Sequence, residues 1–223
     1  MALYIVATPI GNLKDITLRA IEVLRESDYI AAEDTRVTRK LLSYLGIQKP
    51  LLSFHEHSKP RDGEKIIQLL ESGRSVAYVV DAGTPGISDP GAFLVRRVAE
   101  ALPSVAIIPI PGPSALSAAL SVSGLGGSEF LFLGFPPHKK GRRKFFQKVA
   151  ESPYPVVLYE SPYRLLRTLR DLSSAGLEGR PAIVCKEISK IYEEIFRGGV
   201  SELLEVISPR GAPKGEYVII INR

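Results

Sequence analysis

The chain has 223 residues, 45% hydrophobic and 24% charged, a balance that supplies one large core or two smaller ones and excludes disorder as the main state. One cysteine and three histidines exclude a disulfide framework and a thiolate-rich zinc site, and no apolar run reaches the roughly 18 residues of a membrane span. The start of the chain lacks a basic flank, so a soluble, unexported protein of the reducing cytoplasm is expected, and the net charge of +5 leans toward an anionic partner.

The first half alternates short apolar runs with helical periods. A strand is expected from Leu3 to Thr8, then a helix from Ile16 to Glu26 with Leu18, Ile21 and Leu24 inward. A strand from Tyr29 to Ala32 and a helix from Thr38 to Leu45, which Gly46 can end in a left-handed conformation, follow. Leu51 to Phe54, Ser75 to Asp81 and Val105 to Ile110 read as strands, with helices from Glu64 to Glu71 and Gly91 to Leu102 between them. Five strands alternating with four helices give an α/β fold with a mostly parallel sheet.

Pro109, Pro111, Gly112 and Pro113 then break the pattern, and a small-residue helix from Ser114 to Val122 runs toward Gly124, Gly126 and Gly127. A junction here divides the chain into domains 1–112 and 113–223. In the second domain, strands are expected from Phe130 to Leu133, Val156 to Tyr159, Ala182 to Cys185, Ile191 to Phe196 and Tyr217 to Ile221. Helices are expected from Arg142 to Ala150, Tyr163 to Leu172 and Ser201 to Ile207, and hairpin-compatible strands near the end point to a mixed sheet.

In parallel sheets ligands sit beyond the carboxyl ends of the strands, so the residues after each strand matter most. The run from Asp81 to Gly91, which includes Gly83, Thr84 and Ile87, holds three glycines and two prolines in eleven residues. Such a connection gives a ligand close access to a backbone of fixed path. It lacks the lysine of a P-loop, and no strand ends in a dinucleotide fingerprint. His55 and His57 flank Glu56 without further ligands, and surface polar residues are the simpler reading, so no metal site is expected.

Thr8-Pro9-Ile10-Gly11-Asn12, Ala32-Glu33-Asp34-Thr35-Arg36, the Asp81 to Gly91 loop, Pro111-Gly112-Pro113-Ser114-Ala115, Tyr159-Glu160-Ser161-Pro162 and Lys186-Glu187 occur in that order. With these six motifs nearly the whole chain resembles the ribosomal RNA small subunit methyltransferase I family of the tetrapyrrole methylase superfamily. Members often continue past the last strand, whereas this sequence ends at Arg223. The resemblance implies two α/β domains with S-adenosylmethionine in the cleft between them, a homodimer, and methylation of a cytidine ribose 2′-hydroxyl in small-subunit ribosomal RNA or its 30S particle. It carries over Pro9, Thr84, Ile87, Ser114 and Ala115 as cofactor contacts, with Asp81 and Gly83 from the same loop and Tyr159, Cys185 and Gly215 as weaker matches.

Methyl transfer from a sulfonium is an in-line displacement that depends on positioning, assisted by a group that removes the hydroxyl proton. Strand-end candidates for catalysis are Glu33, Asp34, Arg36, Glu160 and Lys186, with His55 and Glu56 as further possible proton acceptors. Glu33 and Asp34 are alternatively caps of the helix that follows, Glu160 and Lys186 alternatively members of structural salt bridges, and Cys185 most simply a small buried apolar residue. Lys139, Lys140, Arg142 and Arg143 form a one-signed run suited to RNA phosphates, although a solvated helix face has the same composition. Phe145 and Phe146 beside it read as core. The competing functions are a methylase of a tetrapyrrole or other small acceptor, and a noncatalytic RNA-binding protein.

Overall fold

The computed structural model describes residues 1–55, 58, 60–124, 128–210 and 214–223. Glu56, His57, Gly126 and Gly127 lie outside the described residues. Contacts divide the chain into two units, Met1–Ser114 and Ala115–Arg223. Among the described residues no helix is long and apolar enough to cross a membrane.

The first unit runs β1 (Ala2–Val6), α1 (Leu18–Glu26), β2 (Tyr29–Ala32), α2 (Thr35–Tyr44), β3 (Leu51–Ser53), α3 (Pro60–Glu71), β4 (Val76–Val79), α4 (Gly91–Ala101) and β5 (Ala106–Ile110). The strands lie in the order β3-β2-β4-β1-β5, all parallel. Alternation along the central strands feeds two cores. Leu3, Val76 and Tyr78 pack with Ile66 and Leu70 of α3 and Leu94 and Val98 of α4. Val6, Ala77 and Val79 pack with Ala20 and Leu24 of α1 and Leu42 of α2 on the other face.

Two helices begin where side-chain caps place them. The Thr17 side chain accepts the Ala20 N–H, so α1 starts at Leu18, and Ile16 is left in extended backbone. Leu18, expected inward, is 78% exposed; Ala20 and Leu24, four residues apart, form the buried stripe instead. The Asp34 side chain accepts the Arg36 N–H at 2.8 Å and starts α2 at Thr35, three residues before the expected Thr38. Gly46, at φ 65°, ends the α2 turn as its position suggests.

Because α1 and α2 cover one face and α3 and α4 the other, the connections after β1 and β2 leave β4's neighbours on the side opposite to the connection after β4 itself. A crevice at the carboxyl ends of β2, β4 and β1 follows from that topology.

The second unit runs α5 (Ala115–Ser123), β6 (Leu131–Gly134), α6 (Arg142–Ala150), β7 (Val156–Glu160), α7 (Leu165–Leu172), β8 (Pro181–Lys186), β9 (Glu194–Gly199), α8 (Val200–Ile207) and β10 (Tyr217–Ile221). Its sheet has the order β6-β7-β10-β8-β9, with β6 and β7 parallel and the other pairs antiparallel. Leu158, Val184 and Ile219 face a core shared with α6, α7 and α8, while Val157, Cys185 and Val218 face Ala119 of α5. The strand expected from Ile191 to Phe196 begins later. Glu187 and Ser189 adopt positive φ, the chain turns before pairing Lys186 with Glu194, and Ile191 and Tyr192 are left exposed.

Candidate active site

Three strand-end loops of the first unit are fastened to one another. Thr8 and Gly83 exchange two backbone hydrogen bonds, at 3.0 and 3.1 Å, which ties the end of β1 to the loop after β4. Gly83 sits at φ 87°, a backbone that side chains rarely adopt, and a Cβ there would lie 3.4 Å from Ile10. The Thr8 hydroxyl donates to the Val80 carbonyl at 3.0 Å. The Thr84 hydroxyl donates to the Pro113 carbonyl at 3.0 Å and so joins the β4 and β5 loops. Farther along, the Asp89 carboxylate accepts the N–H groups of Gly86, Ile87 and Gly91, which fixes the path around Ile87.

Carboxylates gather at the end of the β2–β4 pair. The Asp34 N–H donates to Oδ1 of Asp81 at 3.1 Å, and the Asp81 N–H donates to Oε2 of Glu33 at 3.4 Å. Asp34 turns its own carboxylate onto Arg36, at 2.6 Å, and hydrogen bonds from that residue hold its pKa down at about 2. Asp81 moves the other way, since burial and the neighbouring Asp34 charge push its carboxyl up. Below them the Tyr78 hydroxyl is buried with no hydrogen-bond partner among the described residues, and burial raises its pKa.

Beside this edge lies a mostly apolar hollow of about 170 Å³, lined in part by Pro9, Leu13, Val37, Lys40, Leu41 and Asp81. A cavity of about 150 Å³ accepts a benzene ring. The hollow is therefore of a size for one six-membered ring.

The structure thus brings together Pro9, Glu33, Asp34, Arg36, Asp81, Gly83 and Thr84, with Ile87 and Ser114 farther along the same loops; Ala115 is the first residue of α5. Among the candidates of the second unit, Tyr159 accepts the Leu116 N–H through its hydroxyl at 3.1 Å. Cys185 is fully buried, and burial pushes its thiol up to about 11. Gly215, at φ 98°, packs so closely on Glu187 that a Cβ would collide with it. Lys186 pairs with Glu194 across β8 and β9 at 2.5 Å.

Glu160 and Arg142, unlike the exposed candidates, are buried. The Glu160 side chain is sealed from solvent, bound by Arg164 at 2.9 Å, by the Ser161 N–H at 2.8 Å and by the Thr168 hydroxyl. Its carboxylate is committed to these partners and offers almost no exposed surface. Arg142 is only 5% exposed and spends its donors on Asp171, the Pro137 carbonyl and Thr168, whereas Lys139, Lys140 and Arg143 are exposed. Phe146 is core as expected, and Phe145 packs against the same core. The hollow and the Thr84–Pro113 tie left no trace in the sequence, because each joins segments far apart along the chain.

A parallel sheet carrying such loops, followed by a mixed sheet, defines a methylase class: a family model for Tetrapyrrole (Corrin/Porphyrin) Methylases matches residues 2–204. The fold is shared with the X-ray structure of a cobalamin biosynthetic enzyme, cobalt precorrin-4 methyltransferase, at TM-score 0.69 and 18% identity, over 99% of this chain and 94% of that one. Closer in sequence is a "Ribosomal RNA small subunit methyltransferase I" of Neisseria meningitidis serogroup B, 48% identical over 98% of this chain and 75% of its own length. The protein of that name from Thermotoga maritima is 45% identical over 99% of this chain and 97% of its own length. The chain belongs to the ribosomal RNA small subunit methyltransferase I family.

Proposed function

We propose that the chain transfers a methyl group from S-adenosylmethionine to the ribose 2′-hydroxyl of a cytidine in small-subunit ribosomal RNA, as a cytoplasmic homodimer, with the strand-end edge of the first unit as the reaction site. The relatives' names support the RNA substrate. The observation that carries the chemistry is the placement of Asp81: one carboxylate oxygen is held by the Asp34 N–H, and its pKa is raised at the rim of a ring-sized hollow.

The edge fits the cofactor. Glu33, Asp34 and Asp81 set three carboxylates against Arg36 and Lys40, a surplus of negative charge suited to a cationic donor. Gly83 and Gly112 keep the backbone accessible, and a Cβ at Gly112 would approach Ala7 to 3.0 Å. S-adenosylmethionine supplies an electrophilic methyl carbon on a sulfonium. Thr84, Ile87, Ser114 and Ala115 are the contacts assigned to it, together with Pro9 and Gly83.

The chain's own tasks are then positioning and proton removal. The hollow walled by Pro9, Leu13, Val37 and Leu41 seats the base ring of the acceptor nucleoside, which positions the ribose hydroxyl outside it for in-line attack. Asp81 would accept the hydroxyl proton as the O–C bond forms and the donor's methyl–sulfur bond breaks, the sulfur leaving as a neutral thioether. Its raised pKa makes it a better base than Asp34, whose carboxylate is committed to Arg36 and the start of α2.

Titration calorimetry with S-adenosylmethionine and incubation with labelled cofactor plus small ribosomal subunits lacking the modification test the reading together. Saturable heat with label in RNA is expected. Label entering only a tetrapyrrole would make the chain a small-acceptor methylase, and the absence of heat would leave it a noncatalytic RNA-binding protein.

A further inference from the structure

Three arginines of the second unit converge on the backbone of one loop. Arg164 donates to the Pro136 carbonyl at 2.9 Å, Arg142 to the Pro137 carbonyl at 2.9 Å, and Arg167 to the His138 carbonyl at 3.4 Å. Three consecutive carbonyls of the segment after β6 are thus held by side chains of α6, α7 and the turn that precedes α7.

Two of these arginines are themselves fixed from behind. Arg164 is held by Glu160 at 2.9 Å and by the Ser161 hydroxyl at 3.1 Å. Arg142 is held by Asp171 at 2.6 Å and Thr168 at 2.7 Å, with its guanidinium 4.9 Å from the centre of the Phe146 ring. Thr168 in turn donates to Glu160 at 2.5 Å, which links the two halves into one network. A buried ionic network of this kind is a weaker source of stability than an apolar core of equal volume. What it does supply is a loop of fixed geometry.

That loop carries the exposed cations. Lys139, Lys140 and Arg143 follow the clamped carbonyls directly, with Gly141 at φ 81° turning the chain into α6. Two exposed aromatic rings lie on the loops that this network fastens. Phe135, 50% exposed, precedes the clamped carbonyls, and Tyr163, 95% exposed, precedes Arg164 in the loop after β7. The Arg164–Pro136 bond fastens these two loops to each other. Exposed rings and exposed cations on one clamped pair of loops match a flexible nucleic-acid strand, whose bases stack on the rings while its phosphates meet the charges. A duplex, with its bases stacked internally, uses the charges alone.

We propose that the loops 135–143 and 161–164 form a preorganised platform for single-stranded RNA. Phe135 and Tyr163 stack bases, Lys139, Lys140 and Arg143 hold phosphates, and Arg142, Arg164 and Arg167 are positioning residues. The platform rests on the RNA reading above and deepens it by naming the form of RNA taken.

Fluorescence anisotropy of the full chain tests it, with one labelled single-stranded RNA oligonucleotide and the corresponding duplex across a salt series. The single strand binds more tightly than the duplex, and Tyr163→Ala and Phe135→Ala each weaken it by roughly tenfold. Lys139→Ala instead lowers the slope of log affinity on log salt by about 0.7. Arg142→Lys keeps the charge but loses the fixed geometry, so it weakens the single strand without changing that slope, a split that simple destabilisation of the fold does not give. Thermal melting of Tyr163→Ala and Phe135→Ala at the wild-type midpoint certifies the fold. Wild-type binding with no effect of either aromatic change, or equal affinity for the duplex, overturns the platform and leaves the RNA function standing. No binding of either RNA by the wild-type chain overturns the RNA function and the platform with it.

Discussion

The backbone N–H of Asp34 donates to the carboxylate of Asp81 across the ends of β2 and β4, while the Asp34 carboxylate turns away to Arg36. The two acids have opposite tendencies: hydrogen bonds from Arg36 hold Asp34 at about 2, while burial and the Asp34 charge push Asp81 upward against the lowering effect of the Asp34 N–H. Environments that drive neighbouring pKa values apart separate a proton acceptor from a permanently charged group.

Methyl transfer should therefore fall as pH drops through a value raised above that of an ordinary aspartate, because protonating Asp81 removes the base. Asp81→Asn lowers kcat by about 10²- to 10⁴-fold. The stability effect has the opposite sign. A carboxyl whose folded pKa is raised favours folding below its unfolded value and loses that contribution as pH rises through the folded value. At neutral pH Asp81 is a cost to the fold, and melting of Asp81→Asn should show an unchanged or higher midpoint.

Filling the hollow separates acceptor binding from cofactor binding. Val37 is 38% exposed on α2 and lines the hollow, so Val37→Trp projects a ring into it without overpacking a core. Transfer to RNA should be lost or its KM raised at least tenfold while calorimetry still records heat with S-adenosylmethionine.

The Tyr78 hydroxyl is buried without a hydrogen-bond partner among the described residues, so it contributes a desolvation cost with no compensating bond from them. Denaturant titration of Tyr78→Phe should show stability equal to the wild type or higher. A loss of more than about 1 kcal/mol would reveal a bond to this hydroxyl.

Glu160→Ala strands the Arg164 guanidinium, which is 14% exposed, inside the second unit. Uncompensated buried charge of this kind costs about 3–5 kcal/mol. Chemical denaturation should show that loss, and Arg164→Met in the same chain should restore part of it by removing the orphaned charge.

Strand periodicity made the α/β organisation legible: Tyr217–Ile221 and Arg142–Ala150 stand where apolar spacing puts them. Caps decided the elements that shifted. Asp34, weighed as cap or site, is the cap of α2 and also touches Asp81 through its backbone. β9 began late because Glu187 and Ser189 took left-handed backbone, which neither residue type announces. The site was legible as a set of strand-end loops, yet residue type could not show which charges face inward. Arg142 and Arg143 are adjacent and chemically alike, and one is sealed against Asp171 while the other is exposed. Only the packing of α6 on α7 separates them.

The most direct test of the central claim is the position of the methyl group itself. After incubation of the chain with labelled S-adenosylmethionine and unmodified small subunits, the account predicts label on a cytidine ribose, read as a single phosphodiester bond that resists alkaline cleavage. Label on a base, with every bond still cleaved, would contradict it.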